Sequence, residues 1–578
     1  MFELQRTTYP RKGICVSENM FLRGSLSQIL FDEDTDKINL KKGATLSFNT
    51  YFNAFSLTVW DANCDFNCLF YGISGQGLIR VKLYQQEHRQ GRILLEDVSI
   101  PLSMESRYTE IKSFKNKKGI LYAEISALTD CVIVKSGFYT SDLPRNDVKL
   151  GIVVTHFKRK KYVLPAIQRI NKNLLQDPLY KNKVSLVVVD NSQDLLEEEC
   201  EGAILLPNKN MGGSGGFSRG LFFLDESKYT HCLFMDDDGS CEIESIRRVI
   251  NFYAYCCSNE KLSIAGTLFL ETTPNLIHEK GAQVLKKGIL GQHHGLDVND
   301  VGNVILADNS LIKCDYGAWC FCAFPIQNLR FYPFPFFVRG DDVLFGAINK
   351  FKVISMIGIA VTVDDFNDKE SPITKYLSFR STLVCSVILF NISRLECIYI
   401  FLRWYLPVVF SYNYVSAQAI ILALEDMLKG PSAFIEDMCG NGFRKKISDL
   451  GDSERKVNFN DFEAKHPSRN ESQLARIFRW FTLNGLLLPA FAFKTGSVIQ
   501  PCGPRATFRE IFRYKKVVYV DTKGQAYVSK FERLRIVKCL FLAIKAVMQV
   551  LCSFNKTKRM FRQSSKEIMT KKFWESVF

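Results

Sequence analysis

The hydrophobic pattern of the chain changes character twice. Residues 1–148 carry short runs in which apolar and polar side chains alternate, for example at 46–52 and 78–84, with glycines between the runs. Alternation with a period of two is typical of strands that bury one face. The first region is therefore predicted to be a β-sandwich domain, and the polar segment 141–147 a linker.

Residues 149–375 show a different pattern, in which the apolar runs are continuous. The runs at 150–155 and 184–190 are separated by a segment of helix length, and shorter runs follow at 202–206 and 233–235. Continuous apolar strands alternating with helices are typical of a buried parallel sheet. The second region is predicted to be a doubly wound α/β domain.

Residues 376–578 are predicted to be mainly helical, with aromatic-rich apolar segments at 398–424 and 477–493. The first of these is long enough to span a membrane. Polar or helix-breaking residues interrupt it at Arg403, Pro407, Asn413 and Gln418. A buried pair of helices is therefore favoured over a membrane span.

The segment 533–551 has basic residues near one face and Ile536, Leu540, Ile544, Val547 and Leu551 on the other, and more basic residues follow it. A basic amphipathic helix suits an anionic membrane surface. The solvated face of a packed helix gives the same pattern, so the sequence leaves both interpretations open.

Composition narrows the class of protein. The 578 residues are too many for one core, and two to four domains are expected. An excess of 75 Lys and Arg over 60 Asp and Glu gives a net charge of +15, which suits an anionic partner. Because the basic residues are dispersed or C-terminal and form no reading motif, no nucleic-acid partner is predicted.

The 18 cysteines have irregular spacings without paired C-x₂-C motifs, and none of the seven histidines has ligand spacing. Reduced thiols explain this usage best. No long apolar segment follows the first residues, so no signal peptide is predicted and the protein is expected in the cytoplasm.

The acidic triplet Asp236, Asp237 and Asp238 directly follows an apolar strand. Adjacent carboxylates repel one another unless a cation compensates them, and hard cations such as Mg²⁺ prefer oxygen ligands. Strand alternation predicts that Asp236 and Asp238 share one side and bind the metal and a diphosphate. The alternative is a capping role for a helix that begins near Glu242.

Residues 208–220 place four glycines ahead of a predicted helix, where backbone N–H groups can approach an anion. The segment is neither a dinucleotide fingerprint nor a Walker loop. A tight turn that requires close packing explains the same glycines.

A second acidic pair, Asp341 and Asp342, follows a run of phenylalanines. A carboxyl group among apolar side chains has a raised pKa and suits a general base, whereas the alternative is an acidic first helical turn. Upstream, Trp319 is predicted to stack on a sugar, with core packing as its alternative.

Several motifs together resemble the galactofuranosyltransferases of glycosyltransferase family two, of the mycobacterial galactan polymerase type. They are TYFNAF at 50–55, VDN at 189–191, NMGGSGGF at 210–217, MDDD at 235–238, Trp319, GDD at 340–342 and EDMLKGP at 425–431. The resemblance implies an N-terminal β-sandwich, a Rossmann-like GT-A catalytic domain and a C-terminal helical region for membrane association and oligomer contacts. It also implies an inverting enzyme that uses UDP-galactofuranose with Mn²⁺ or Mg²⁺.

The family's site residues are carried over by position. Asp342 is the expected catalytic base, Trp319 and Asp341 bind the acceptor, and Asp236 and Asp238 bind the metal. The residues expected to bind the nucleotide sugar are Thr155, Arg159, Asp190, Asn208, Asn210, Gly212, Gly213, Asp236 and Asp237.

The chain departs from the family at two places. The family has a second tryptophan where this chain has Cys320, and a metal-binding histidine where it has Val363. Asp364 or Asp365 is the hypothesised replacement ligand, with Asp364 preferred, because Mn²⁺ and Mg²⁺ accept carboxylate oxygen.

The predicted function is inverting transfer of galactofuranose to a hydroxyl of a growing cell-surface glycan, such as an O-antigen, a capsule or a galactan. The predicted partners are a lipid-linked or polysaccharide galactosyl acceptor, an anionic membrane surface and further copies of the chain. The predicted location is the inner face of a bacterial cell membrane. The alternatives are a rhamnosyl or pyranosyl donor, or a non-catalytic glycan-binding homologue.

Overall fold

The computed structural model describes residues 1–11, 17–32, 36–257, 261–308, 312–327, 329–458, 471–503 and 508–578. Three regions follow one another along the chain, and each has its own secondary structure.

The N-terminal region is a β-sandwich, as predicted. Its elements are β1 (Phe2–Arg6), β2 (Arg23–Gly24), β3 (Ile29–Asp32), β4 (Lys37–Leu40), β5 (Thr45–Ser47), β6 (Phe55–Ser56), α1 (Leu57–Asn63), β7 (Phe70–Gln76), β8 (Leu78–Gln86), β9 (Ile93–Pro101), β10 (Arg107–Glu110), β11 (Ile120–Ala127) and β12 (Cys131–Thr140). One sheet has the order β10-β7-β12-β4-β3 with β1 beside β12, and the other the order β2-β5-β11-β8-β9 with β6 beside β11. The inward positions of the alternating strands are fully buried, as at Ile73, Val81 and Ile133.

The second region begins at β13 and is an α/β domain, as predicted. Its strands are β13 (Leu150–His156), β14 (Val184–Asp190), β15 (Ala203–Pro207), β16 (His231–Asp236), β17 (Leu262–Ala265), β18 (Thr267–Leu270), β19 (Thr273–Glu279), β20 (Ala282–Leu285), β21 (Gly288–Gly291), β22 (Phe321–Pro325), β23 (Lys352–Ile354) and β24 (Ala360–Val363). Its helices are α2 (Lys160–Ile170), α3 (Gly212–Glu226), α4 (Ile243–Tyr255), α5 (Val301–Ala307) and α6 (Asp341–Asn349).

The central sheet of this region has the order β15-β14-β13-β16-β22-β17-β23. Strands β13 to β16 are mutually parallel, whereas β22 runs antiparallel to both of its neighbours. The carboxyl ends of the parallel strands therefore meet at one edge, which is where open α/β sheets bind ligands.

A smaller sheet, β19-β18-β24, lies beside the central one. Ser240 and Thr362 pair through two backbone hydrogen bonds of 2.9 and 2.8 Å. This pairing brings the end of β24 close to the acidic triplet at the end of β16.

The C-terminal region contains the helices α7 (Pro372–Phe390), α8 (Arg394–Phe410), α9 (Tyr414–Leu428), α10 (Ser432–Ile435), α11 (Asn441–Ser448), α12 (Gln473–Phe481), α13 (Arg533–Ile568) and α14 (Lys571–Val577). Segment 398–424 forms most of α8 and α9, which agrees with the predicted helix pair. The predicted boundary between residues 375 and 376 falls inside α7.

The C-terminal region also contains a sheet that the sequence pattern does not predict. Its strands β25 (Val457–Asn458), β26 (Lys494–Pro501), β27 (Tyr514–Val520) and β28 (Gln525–Lys530) have the order β25-β28-β27-β26. The expected helix at 477–493 ends at Phe481 with α12.

Helix α13 has two apolar faces rather than the one predicted. Ile536 and Val550 are buried against other helices, whereas Phe541 is 73% exposed and Ile544 62% exposed. Helices α7 and α13 are long and apolar enough to span a membrane. Core helices of soluble proteins meet the same criteria, and the most apolar stretch of α7 is 61% buried.

Arg248 in α4 connects the sandwich with the α/β domain. Its side chain is fully buried and donates hydrogen bonds of 3.0 Å to the carbonyl oxygens of Arg6 and Gly358. It also pairs with the buried Glu244 at 3.3 Å. The buried charge of Arg248 is tolerated because Glu244 and the two carbonyl oxygens compensate it.

Arg248→Ala is therefore expected to lower the free energy of unfolding by about 3–5 kcal/mol, because it leaves Glu244 buried without this partner. Urea unfolding followed by fluorescence measures the change. Arg80→Ala, which removes an exposed ion pair with Asp97, is the control and is expected to lower the free energy of unfolding far less. Equal midpoints for both variants would contradict this role of Arg248.

Candidate active site

The acidic triplet lies at the carboxyl edge of the central sheet. Strand β16 ends at Asp236, which is in register with Thr155 on β13. Asp237 and Asp238 follow in a turn, so the expected alternation of the three side chains is wrong beyond Asp236. Arg159 confirms this, because its Nη1 atom contacts Asp237 Oδ1 at 3.0 Å and Asp238 Oδ2 at 2.7 Å.

Asp238 carries two cationic partners. Besides Arg159, the ammonium group of Lys369 lies 2.9 Å from the same Oδ2 atom. Burial alone would raise the pKa of Asp238, but the charges of Lys369 and Arg159 hold it below its ordinary value. Asp238 is therefore ionised at neutral pH. The sequence analysis did not identify Lys369.

Asp236 lies in a less polar environment. Its Oδ2 atom accepts a hydrogen bond from the Cys320 thiol at 3.2 Å. Burial, with the negative charge of Asp238, raises the pKa of Asp236 to about 6. Burial also raises the pKa of Cys320, so its thiol keeps the proton that it donates. Cys320 thus contacts the triplet directly.

The second acidic pair begins helix α6. The preceding loop has positive φ angles at Phe337, Arg339 and Gly340, of 79°, 71° and 82°. Such angles are costly for side-chain-bearing residues and cluster at functional sites. A Cβ atom on Gly340 would lie 2.6 Å from Ser381 Cβ, so this position requires glycine.

Hydrogen bonds tie this loop and α6 to the first turn of α3. The Ser214 N–H donates to the Phe337 carbonyl oxygen at 3.1 Å, and the Ser214 hydroxyl donates to Asp341 Oδ2 at 3.0 Å. Asp341 is buried, whereas Asp342 is partly exposed. Of the two carboxyl groups, Asp342 is therefore the more accessible to a substrate.

Burial, together with the negative charges of Glu279 and Asp236, raises the pKa of Asp342 to about 7. Glu279 ends β19, and Tyr316 Oη lies 3.5 Å from its Oε2 atom. No sequence motif marks Glu279, because it is a lone glutamate in a strand.

Three of the predicted nucleotide-binding residues organise the loops that follow β14 and β15. Asp190 accepts hydrogen bonds from the backbone N–H groups of residues 192, 193 and 195. Asn208 donates to Asn191 Oδ1 at 2.8 Å, and Asn210 accepts from the Gly212 N–H at 3.1 Å. Their contact with a nucleotide stays a prediction.

The glycine-rich segment does not precede a helix as expected, because α3 begins at Gly212 and includes these glycines. A Cβ atom on Gly212 would lie 2.1 Å from the Phe337 carbonyl oxygen, and one on Gly216 2.7 Å from Thr155 Cγ2. These glycines therefore allow close packing of α3, while Gly213 lies beside Asp341 at the N-terminal end of the helix.

Trp319 is 5% exposed and packs edge-on against Phe217, Phe234 and Phe345. These contacts make it part of the core between α3 and the central sheet. Its predicted stacking on an acceptor sugar stays a prediction.

The two carboxylates after β24, those of Asp364 and Asp365, contact groups of the protein itself. Val363 is 1% exposed. Asp364 lies 3.4 Å from Lys523 Nζ, and Asp365 caps the short 3₁₀ helix Phe366–Lys369 through the Asn367 N–H at 2.9 Å. The predicted ligand role of Asp364 would require it to leave Lys523.

Two groups of side chains have donor atoms that suit a divalent cation. Asp236 and Asp238 fit one, because Mg²⁺ is usually held by one or two carboxylates together with substrate phosphates. His156, Asp190 and Asp194 also place ligand atoms within 4.8 Å of one another. Internal donors already engage that group: Asp190 binds backbone N–H groups, and Asp194 binds Ser192 and His156. Cation binding by Asp236 and Asp238 stays a prediction.

Sequence comparisons relate this chain to galactofuranosyltransferases. Residues 4–141 match the family model Galactofuranosyltransferase 2 N-terminal. The chain is 25% identical to galactofuranosyltransferase GlfT2 of Mycobacterium tuberculosis, over 66% of this chain and 64% of that protein. It is 22% identical to GlfT2 of Mycolicibacterium smegmatis, over 74% of this chain and 71% of that protein. The match thus spans less than two thirds of the M. tuberculosis protein.

Among solved structures, a mannosyltransferase from Pyrobaculum calidifontis in complex with GDP-Man and Mn²⁺ aligns with a TM-score of 0.29 and 12% identity. The alignment covers 54% of this chain and 86% of that one. The sequence matches, rather than this structural one, identify the chain as a relative of the GlfT2-type galactofuranosyltransferases.

Proposed function

We propose that this chain is an inverting galactofuranosyltransferase that moves galactofuranose from UDP-galactofuranose to a hydroxyl group of a growing cell-surface glycan. The observation that carries the proposal is that Asp342, a partly exposed carboxyl group, lies near enough to Asp236 of the acidic triplet for the charge of Asp236 to raise its pKa. The similarity to GlfT2 supports the choice of sugar.

In the proposed reaction, Asp342 accepts the proton of the acceptor hydroxyl as that oxygen attacks the anomeric carbon. Asp341, held by Ser214, positions α6 and the acceptor side of the site. Arg159 and the first turn of α3 are the proposed donors to the diphosphate. Attack from the face opposite the departing UDP inverts the configuration.

Asp236 and Asp238 are the proposed ligands of Mn²⁺ or Mg²⁺. When bound, such an ion stabilises the negative charge that develops on the departing diphosphate. Arg159, which contacts Asp238 Oδ2 at 2.7 Å, is proposed to stabilise the same negative charge on the diphosphate.

Incubation with UDP-galactofuranose and a panel of lipid-linked galactosyl acceptors, with and without EDTA, tests the proposal. A product one or more hexoses heavier, lost in EDTA and with an inverted linkage by NMR, is expected. If transfer occurred only from a rhamnosyl or pyranosyl donor, that sugar would take the place of galactofuranose in the proposal. No transfer from any donor would indicate a non-catalytic homologue.

We propose further that the exposed apolar face of α13 rests on the inner face of the cell membrane. This face contains Leu534, Phe541 and Ile544, which are 86%, 73% and 62% exposed. Basic side chains on the same helix, such as Lys545, favour anionic lipid. Homo-oligomer contacts would cover the same side chains.

The double variant Phe541→Glu, Ile544→Glu is expected to lose cosedimentation with vesicles that contain anionic phosphatidylglycerol, because two charges oppose burial in the lipid interface. Leu143→Glu, at another exposed leucine, is the control and should bind like the wild type. Light scattering separates the alternatives: unchanged vesicle binding with a smaller oligomer would assign the face to oligomer contacts.

A further inference from the structure

Lys369 contacts the acidic triplet without a role in the reaction described so far. Its Nζ atom lies 2.9 Å from Asp238 Oδ2, and Arg159 Nη1 contacts the same oxygen at 2.7 Å. One carboxylate oxygen thus receives two cationic donors, while the neighbouring Asp236 Oδ2 receives only a thiol. Because Arg159 also contacts Asp237 Oδ1 at 3.0 Å, the two cations together compensate the charges of Asp237 and Asp238.

The backbone after β24 determines where Lys369 lies. Asp365 caps the 3₁₀ helix Phe366–Lys369, and this turn returns the chain toward the triplet. The Phe366 ring lies between two cations, with Lys369 Nζ 5.9 Å and the Arg339 guanidinium 5.6 Å from its centre. Arg339 belongs to the loop before Asp341, so the Phe366 ring connects Lys369 with that loop.

A divalent cation and Lys369 compete for Asp238. Two cations on one carboxylate oxygen repel each other, so metal binding favours the departure of the lysine. Lys369 can move, because its side chain is 31% exposed and a lysine stem is flexible. A phosphate oxygen of the donor offers the ammonium group a partner of the same kind as the carboxylate.

We propose that Lys369 is an internal counter-ion of the triplet, which leaves Asp238 and binds the diphosphate of the nucleotide sugar when metal and donor enter. The chemical class that it recognises is a nucleoside diphosphate. This inference rests on the proposed function only in requiring a nucleotide-diphosphate donor and a divalent cation at the triplet. It assigns to Lys369 a change of partner, from Asp238 to the diphosphate, that the proposed reaction does not include.

Titration with MnCl₂ followed by electron paramagnetic resonance, without nucleotide, tests the first half. Lys369→Met is expected to bind Mn²⁺ about tenfold more tightly than the wild type, because the competing charge is gone. Calorimetry with UDP at saturating Mn²⁺ tests the second half, and the same variant is expected to bind UDP about tenfold more weakly.

Two further variants make the result specific. Lys369→Arg keeps the charge and should stay close to the wild type in both titrations. Lys429→Met removes an equal charge from an ion pair with Asp426 in the helical region and should change neither affinity. Unchanged Mn²⁺ and UDP affinities in Lys369→Met would overturn the inference, as would tighter Mn²⁺ binding without weaker UDP binding.

The two proposals fail in different ways. A wild-type protein that binds Mn²⁺ and UDP but transfers no galactofuranose refutes the proposed reaction, and the two titrations still decide the role of Lys369. A wild-type protein that binds neither Mn²⁺ nor UDP refutes both.

Discussion

Asp342→Asn is expected to reduce galactofuranosyl transfer by about a thousandfold and to leave UDP affinity unchanged. The amide has nearly the same shape but does not accept the proton of the acceptor hydroxyl. Its side-chain oxygen still accepts the Val343 N–H, which Asp342 Oδ1 accepts at 2.8 Å, so the start of α6 is retained. Transfer is measured by the radiolabelled sugar incorporated, and UDP affinity by calorimetry.

Asp341→Asn is the matched comparison, because Asp341 precedes Asp342 and is hydrogen-bonded to Ser214. Asp341→Asn is expected to reduce galactofuranosyl transfer about tenfold, because it disturbs the position of α6 but leaves the general base Asp342 in place. A larger loss in Asp341→Asn than in Asp342→Asn would assign the proton transfer to Asp341.

The pH profile of the wild type gives a second measure of the same role. Burial raises the pKa of Asp342 to about 7, and a general base acts in its ionised form. The transfer rate is therefore expected to rise as pH increases through about 7. Glu279→Gln removes a neighbouring negative charge and should move this rise to lower pH. If the transfer rate of Glu279→Gln rose at the same pH as that of the wild type, the charge of Glu279 would have no effect on the pKa of Asp342.

Asp236→Asn and Asp238→Asn are each expected to reduce transfer by about a hundredfold or more. Each change removes a carboxylate ligand of the proposed cation, and Asp238→Asn also removes the ionised partner of Arg159 and Lys369. Both variants should bind Mn²⁺ more weakly by electron paramagnetic resonance. This readout is independent of turnover.

Asp237→Asn is the control within the triplet. Asp237 contacts Arg159, and its Oδ2 atom lies 3.7 Å from the His156 ring, so it belongs to the protein's own ion pairs rather than to the proposed ligands. Its Mn²⁺ affinity is expected to stay close to that of the wild type. Weaker Mn²⁺ binding in Asp237→Asn than in both other variants would move the cation to the side of His156.

The sequence predicted the strands of the catalytic domain well, because each is a continuous apolar run. The run at 184–190 became β14 and the run at 150–155 became most of β13. The C-terminal sheet was missed, since β27 and β28 mix lysines with apolar residues in a region whose other segments have helical composition. The expected side-chain alternation in the triplet was wrong, because β16 ends at Asp236.

What the sequence alone determined is the sandwich, the parallel strands and the placement of acidic residues after β16 and at the start of α6. Local composition and periodicity carry that information. Only the tertiary structure decided which groups surround those acids. Cys320 lies 84 residues from Asp236 along the chain and Lys369 131 residues from Asp238, yet both make hydrogen bonds with them. Such neighbours depend on how strands and loops pack, and single residues far apart leave no periodic signal.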